Sequence, residues 1–154
     1  GGDVQRTRSW SWKTVFLFLG LWLAFSVPVL RGQPTDQVWN QLVAQSTAAQ
    51  NEGYKRLNYI VGFLDSGTEP IDNWPVHLLA GSSYLIAGVC DNDCTDVDLS
   101  LEDAKRTVVA SDLLEDDVPV IEFSPTASAT YWLRPTMATC SVNPCGYGIA
   151  IFVR

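Results

Sequence analysis

The chain has 154 residues, of which 47% are apolar and 18% are charged, and its formal net charge at pH 7 is −7. This length is that of one domain of ordinary size. The charge is divided unevenly, because residues 1–32 carry four basic residues and one acidic residue, whereas the rest carries six basic and sixteen acidic residues. A net charge of −10 after residue 32 argues against a nucleic-acid partner, since phosphates need a basic surface.

An uncharged apolar run of seventeen residues extends from Thr14 to Leu30, between Lys13 and Arg31. Its length is at the short end of what spans a bilayer as a helix. We interpret it as a transmembrane anchor whose basic N-terminal flank stays inside, in a bacterial inner membrane. Everything after Gly32 then lies on the periplasmic or extracellular side. The aromatic residues expected in or at the bilayer are Trp10, Trp12, Phe16, Phe18, Trp22 and Phe25.

A cleaved secretory signal is the alternative interpretation of these residues, because a basic start, an apolar middle and Leu30-Arg31-Gly32 resemble a loose cleavage site. Arg31 fits the small-residue pattern of such sites poorly. The two interpretations give the same topology and differ in whether the segment is retained. In either case we divide the chain into this segment at residues 1–32, a helix or linker at 33–53 and a folded domain at 54–154.

A short amphipathic helix is predicted after the apolar segment. Thr35 is a suitable N-cap, and Asp36 lies in the first turn, where the helix dipole favours a negative charge. The helix should end near Gln50, before the stop signal Asn51-Glu52-Gly53. It should pack on the domain, the membrane surface or a neighbouring subunit through one stripe. The residues of that stripe are Trp39, Leu42, Val43 and Ser46.

Beyond Gly53 the pattern changes from helical to alternating, with short runs of β-branched and aromatic residues between turn signals. Eight strands are predicted, at residues 55–64, 74–79, 83–90, 97–101, 107–110, 119–123, 130–137 and 147–153. Strands without intervening helices are typical of an antiparallel sandwich, so the fold class is mainly β. In the seventh strand Tyr131, Leu133, Pro135 and Met137 alternate on one face. Because proline cannot donate to a ladder, Pro135 predicts an edge strand or a bulge.

The four cysteines form two local pairs, Cys90 with Cys94 and Cys140 with Cys145. An even number at close spacing after an export segment indicates disulfides, and we prefer the two local bridges because each brackets a turn rich in Asp, Asn or Pro. The rival, a four-thiolate zinc site, usually has tighter spacing and a reducing compartment. Bridges over such short loops fix loop shape more than they add overall stability.

Several short motifs occur in a recognisable order in the second half of the chain: Gly81–Cys90, Asp96–Leu99, Val109–Ser111, Ile121–Pro125 and Ala129–Tyr131. In this order they resemble the bacterial pre-peptidase C-terminal domain family, over roughly residues 54–154. Ala129 departs from the glycine usual in that family. The resemblance implies a small, jelly-roll-like β-sandwich of about eight strands that is not catalytic. It also implies an accessory, adhesion or targeting role and, in some members, calcium binding.

The densest group of polar residues is Cys90–Asp98, which contains four carboxylates and an amide. Hard oxygen ligands in a turn suit Ca²⁺, although the spacing is not that of an EF-hand. The residues to test as calcium ligands are Asp91, Asp93, Asp96 and Asp98. The alternative is a solvated acidic turn whose side chains cap their own backbone. A second acidic run, Asp112–Asp117, is expected to be a solvated loop that could meet the first at one end of the sandwich.

The inventory of catalytic groups is small, so we do not expect an enzyme. His77 is the only histidine, and its strand context favours a structural role over that of a general base. Oxidised cysteines are not available as nucleophiles. We expect Trp74 and Trp132 to belong to the core, with Trp132 the more exposed of the two.

Together these features suggest a non-catalytic, membrane-anchored accessory subunit of a larger bacterial membrane complex, for instance a photosynthetic or respiratory assembly. Its partners would be other protein subunits, and the bilayer through residues 14–30. The alternative is a secreted, calcium-dependent binding or adhesion module from which residues 1–32 have been removed.

Overall fold

A computed structural model describes residues 34–67 and 73–154 of the chain. Helix α1 spans Pro34–Asn51. It is followed by strands β1 (Lys55–Leu64), β2 (Trp74–Leu78), β3 (Tyr84–Cys90), β4 (Cys94–Glu102), β5 (Val108–Asp112), β6 (Val120–Phe123), β7 (Ala129–Cys140) and β8 (Cys145–Val153). The predicted helix and all eight predicted strands are confirmed, with boundaries that differ by at most three residues.

The strands form two antiparallel sheets of four strands each. The first sheet has the order β1-β8-β3-β6, and the second has the order β2-β7-β4-β5. The main core lies between the sheets, and its largest fully buried side chains include Tyr147, Ile86, Leu99, Leu133 and Met137. The mainly β class and the β-sandwich architecture predicted from the alternating pattern are therefore confirmed.

Strand β7 shows why the alternation is so clear. Tyr131, Leu133, Pro135 and Met137 are all buried, and the residues between them are partly exposed. Of the two alternatives predicted for Pro135, the edge strand is wrong, because β7 lies between β2 and β4, and the register shifts of the β4–β7 pairing lie beyond Met137 and not at Pro135. Pro135 is opposite Leu99 of β4, but the pairing of β7 with β2 stops at Leu133. Within the described residues, the ladder between β2 and β7 therefore ends two residues short of Pro135.

Helix α1 covers the outer face of the first sheet and forms a second apolar cluster with it. The buried members are Val38, Leu42, Ala49, Tyr54, Ala87, Val89, Ala150 and Phe152. Strand β8 is consequently buried on both faces, which explains its almost continuous apolar sequence. Of the three predicted environments for the helix, the structure places it on its own domain.

The predicted stripe of α1 is partly wrong. Leu42 and Ser46 are buried as expected, but Trp39 and Val43 are 48% and 47% exposed. The buried face is rotated toward Val38 because the helix fits over Gly148 of β8. A Cβ atom at Gly148 would lie 2.7 Å from Val38 Cγ1 and 2.8 Å from Leu42 Cδ1. Glycine is thus required here for close approach of helix and sheet.

Within residues 34–67 and 73–154, no helix has both the length and the apolar character needed to cross a bilayer. The transmembrane segment predicted at residues 14–30, with its aromatic residues, lies outside the described ranges.

We expect Gly148→Ala to lower the free energy of unfolding by about 1–3 kcal/mol, because the added methyl group overpacks the contact between α1 and β8. Thermal or urea unfolding followed by circular dichroism would measure the loss. Gln50→Ala, on the exposed side of the same helix, is the control and should change stability by less than about 0.5 kcal/mol. Equal effects of the two substitutions would contradict tight packing at Gly148.

Candidate functional site at the disulfide end

Both cysteine pairs lie at the same end of the sandwich, which we call the disulfide end. It comprises the turns Cys90–Cys94 and Cys140–Cys145, the loop 113–119 and the N-terminal turns of α1. Cys94 is paired across the second sheet with Cys140, and Leu64 is paired across the first sheet with Cys145. The start of α1 is held there because Gln37 Oε1 accepts a hydrogen bond of 3.1 Å from the N–H of Asn92.

The cysteines are paired locally, as predicted. Cys90 is bonded to Cys94 and Cys140 to Cys145, each with Cα atoms 5.9 Å apart. The two turns also bind each other, since the N–H and the hydroxyl of Ser141 donate to the carbonyl oxygen of Asp93 at 2.7 and 2.9 Å. The two turns therefore form one cross-linked unit.

Asp91 caps its own turn, as the alternative interpretation of the acidic run predicts, and it has a second structural role that sequence patterns did not indicate. Its side chain is only 3% exposed, and its Oδ2 accepts a 2.6 Å hydrogen bond from the N–H of Gly146, at the start of β8. Its Oδ1 accepts a second bond, of 3.2 Å, from the N–H of Asp93. The carboxylate thus connects the first cysteine turn to the strand that follows the second. Because both of its oxygens accept hydrogen bonds from backbone N–H groups, Asp91 has a structural role.

The other three predicted calcium ligands do not converge on Asp91. Asp93 lies on the turn, and Asp96 and Asp98 follow on β4, two residues apart on the same face of the sheet. Among the described residues, no three His, Cys, Asp or Glu side chains are arranged so that they could hold a metal ion. Calcium binding by Asp91, Asp93, Asp96 and Asp98 stays a prediction.

The two acidic runs do meet, as the sequence suggested they could. The N–H of Val97 donates to the carbonyl oxygen of Asp116 at 3.0 Å, which brings the loop 113–119 against β4. Asp112 at the end of β5 is paired with Leu99, beside Asp98. The resulting group, which we call the acidic cluster, consists of Asp96, Asp98, Asp112, Glu115 and Asp116.

Burial and, after it, electrostatic repulsion raise the pKa of two carboxyl groups in the acidic cluster. Partial burial, followed by the charges of Glu115 and Asp116, raises the pKa of the Asp96 carboxyl above its ordinary value of 3.8. For Asp98, burial raises the pKa first, and the charges of Asp96 and Asp112 add to it. Asp96 Oδ1 is buried without a hydrogen-bond partner. These carboxylates therefore destabilise the fold when ionised.

Basic residues are concentrated away from the disulfide end. Lys55 and Arg56 start β1, Lys105 and Arg106 follow β4, and Arg154 follows β8, all toward the opposite end. The sixth described basic residue, Arg134, forms an ion pair of 3.4 Å with Glu102. In residues 34–67 and 73–154, the disulfide end therefore has acidic side chains but no lysine or arginine.

Exposed apolar side chains also occur at the disulfide end. Leu113 and Leu114 are 64% and 68% exposed in the loop 113–119, and Val142 is 59% exposed in the second cysteine turn. The loop is adjacent to the first disulfide, because the Asp117 carbonyl oxygen lies 3.9 Å from Cys90 Sγ. The sequence analysis predicted only a solvated acidic loop at Asp112–Asp117, so the exposure of its two leucines was not predicted.

A second apolar surface runs along the side of the domain. The Trp39 ring contacts that of Tyr59 at 5.1 Å, edge to face, so the Trp39 flank of α1 faces β1. Val61 and Phe63 continue from Tyr59 on the same face of β1 and are 42% and 48% exposed. We call the surface formed by Trp39, Val43, Tyr59, Val61 and Phe63 the α1–β1 strip.

The remaining predicted residues lie elsewhere. Trp74 packs against the core, as expected, and its Nε1–H donates to Tyr147 Oη at 2.9 Å. Trp132 is partly exposed on the second sheet, under the Arg106 guanidinium at 4.1 Å. His77 is exposed on β2, where it lines a cleft of about 200 Å³ together with Leu57.

Comparison with solved structures finds several chains that are similar to this one. The chain is similar to the crystal structure of the pre-peptidase C-terminal domain of collagenase from Bacillus anthracis, with a TM-score of 0.48 and 12% identity over 61% of this chain and 87% of that one. No family model matches the sequence, and no curated protein matches it either. The β-sandwich assignment rests on the two sheets described above.

Asp91→Ala should lower the free energy of unfolding by about 1–3 kcal/mol, because the buried N–H of Gly146 loses its acceptor. The matched control is Asp93→Ala, two residues away and partly exposed, which should cost much less. Chemical denaturation of both oxidised variants would measure the difference. A cost for Asp93→Ala as large as that for Asp91→Ala would show that general loss of charge, not the buried bond, is responsible.

Asp98→Asn should raise Tm at pH 7 in EDTA, because burial and the charges of Asp96 and Asp112 disfavour the ionised Asp98 carboxylate in the folded chain. The raised pKa means that the folded chain binds more protons than the unfolded chain between pH 3.8 and that pKa. The contribution of Asp98 to stability therefore becomes more favourable as the pH falls through this window, and the advantage of Asn disappears below it. Thermal unfolding between pH 3 and 7 tests this, with the exposed Glu52→Gln as control. A lower Tm for Asp98→Asn at pH 7 would contradict repulsion.

Proposed function

We propose that the protein is a non-catalytic, membrane-anchored accessory subunit that docks on a larger bacterial membrane complex, with its sandwich on the periplasmic side. The observation that carries this proposal is the α1–β1 strip. Trp39 and Phe63 are each 48% exposed, and they lie on one continuous flank of the domain. Exposed aromatic side chains that are grouped rather than scattered mark interaction surfaces.

The edge position of β1 supports protein docking in particular. Strand β1 is ten residues long and has a neighbour, β8, on only one side within the described ranges. A long edge strand with exposed apolar residues would be a liability in an isolated soluble domain. A partner that covers the strip would remove this liability.

The proposal also includes the jelly-roll-like form of the sandwich and its family. Successive strands mostly alternate between the two sheets, in the order expected for an eight-stranded jelly roll, which supports the jelly-roll-like form of the sandwich. This arrangement is consistent with membership of the pre-peptidase C-terminal family. We propose as the partner a complex such as a photosynthetic or respiratory assembly.

A secreted, calcium-dependent binding module is the second candidate. It is favoured by the buried, unpartnered Oδ1 of Asp96 within the acidic cluster, since a cation there would offset the repulsion. The two candidates differ in their response to metal removal. The secreted module requires that EDTA lowers Tm and that Asp96→Asn abolishes this effect, whereas the accessory subunit requires neither.

The docking proposal predicts that the native chain, solubilised from its own membranes in mild detergent, migrates with other polypeptides in a particle much larger than its 17.0 kDa. Replacing Trp39 and Phe63 together by Ser should shift it to the size of the free subunit, because the strip loses its aromatic contacts. Native gel electrophoresis with immunodetection measures the shift.

Leu57→Ser is the matched control, because Leu57 is a 54% exposed apolar residue of the same strand that lies outside the strip. It should leave the large particle intact. Intact mass should also show residues 1–32 still attached. A native mass lacking them, or a wild-type chain that migrates alone, would overturn the proposal.

A further inference from the structure

We propose that the disulfide end is the membrane-facing end of the domain and that Leu113, Leu114 and Val142 contact the lipid bilayer. This inference rests on the anchor of the proposed function and goes beyond it, because it specifies how the sandwich is oriented and which residues touch lipid.

The chain enters the domain at the disulfide end. Helix α1 begins at Pro34, and its first turns are fixed at the disulfide end by the bond from Asn92 N–H to Gln37. One turn later, Gln41 Nε2 donates to the carbonyl oxygen of Cys90 at 2.7 Å. The helix then runs toward the opposite end, where Tyr54 leads into β1.

The connection between the apolar run and helix α1 is short. Only Arg31, Gly32 and Gln33 separate Leu30, the last residue of the apolar run, from Pro34. Even fully extended, this connection spans at most about 14 Å. The headgroup layer on one side of a bilayer is about 5–8 Å thick. With residues 14–30 across the membrane, the disulfide end therefore lies at the headgroups or immediately above them.

The surface of the disulfide end carries exposed apolar side chains. Leu113, Leu114 and Val142 are each more than half exposed, and they project from two loops rather than from a sheet face. Apolar side chains at loop tips gain free energy by entering the boundary between headgroups and acyl chains. The cross-linked cysteine turns hold Val142 in place through the bonds between Ser141 and Asp93.

Acidic side chains lie at this end, and a basic residue lies in the connection that precedes it. Asp93, Glu115 and Asp117 lie close to the apolar tips and repel anionic headgroups, whereas Arg31, three residues before Pro34 in the sequence, attracts them. We accordingly assign the bilayer contact to the apolar side chains Leu113, Leu114 and Val142.

Photo-crosslinking in vesicles tests the orientation. The full chain is reconstituted into phosphatidylcholine vesicles with a benzophenone amino acid in place of Leu114 or, as a control, Val108. Val108 is 52% exposed, but it lies at the far end of β5. Illumination should add the mass of one phospholipid to the Leu114 variant and not to the Val108 variant.

The outcomes separate this inference from the proposed function. If alkaline extraction removes the chain from the vesicles, the anchor is wrong and the orientation is overturned with it. If the chain is retained but Leu114 gives no adduct, or Val108 gives as much, only the orientation is overturned. Exclusive crosslinking of Leu114 to a protein in native membranes would show that a partner covers this end, and would overturn the lipid contact.

Discussion

The packing of α1 across Gly148 is the contact on which the rest of the structure depends. Because no side chain intervenes, Val38 and Leu42 reach the backbone of β8, and the first sheet becomes a buried layer between helix and core. Without the helix, the apolar outer face of β8 and β3 would be exposed to water. The same contact determines where the chain enters the domain, and it exposes Trp39 on the flank beside β1.

The domain is also polarised electrostatically. Toward the end opposite the disulfides, Glu102 is buried between two arginines, with Arg106 at 3.5 Å and Arg134 at 3.4 Å. At the disulfide end, Asp96 and Asp98 instead face further carboxylates, which raise their pKa. The first arrangement pairs a buried charge, so that Glu102 is not left uncompensated. The second retains repulsion, so the acidic cluster costs stability when its carboxylates are ionised.

How much could be predicted from the sequence depended on the range of the interaction. Strand positions and the buried face of β7 follow from alternation, and the disulfides join cysteines four and five residues apart, so local patterns were sufficient. The buried face of α1 was predicted incorrectly because the largest apolar side chain, Trp39, was assumed to point inward. Its phase is set by the fit to Gly148, a contact more than a hundred residues away. The role of Asp91 was missed for the same reason, since its partner Gly146 is 55 residues distant.

The α1–β1 strip and the apolar loop tips of the disulfide end are compatible with one orientation of the domain on the membrane. Phe63, at one end of the α1–β1 strip, is paired with Gly146 beside the second cysteine turn, so the strip begins at the disulfide end and runs away from it along the domain. With that end on the bilayer, the α1–β1 strip extends away from the membrane along the side of the domain. A neighbouring subunit anchored in the same membrane could then cover it without displacing the loops from lipid. The short connection to residue 34 favours such a lateral contact, because it keeps the strip within reach of partners that project only slightly above the bilayer.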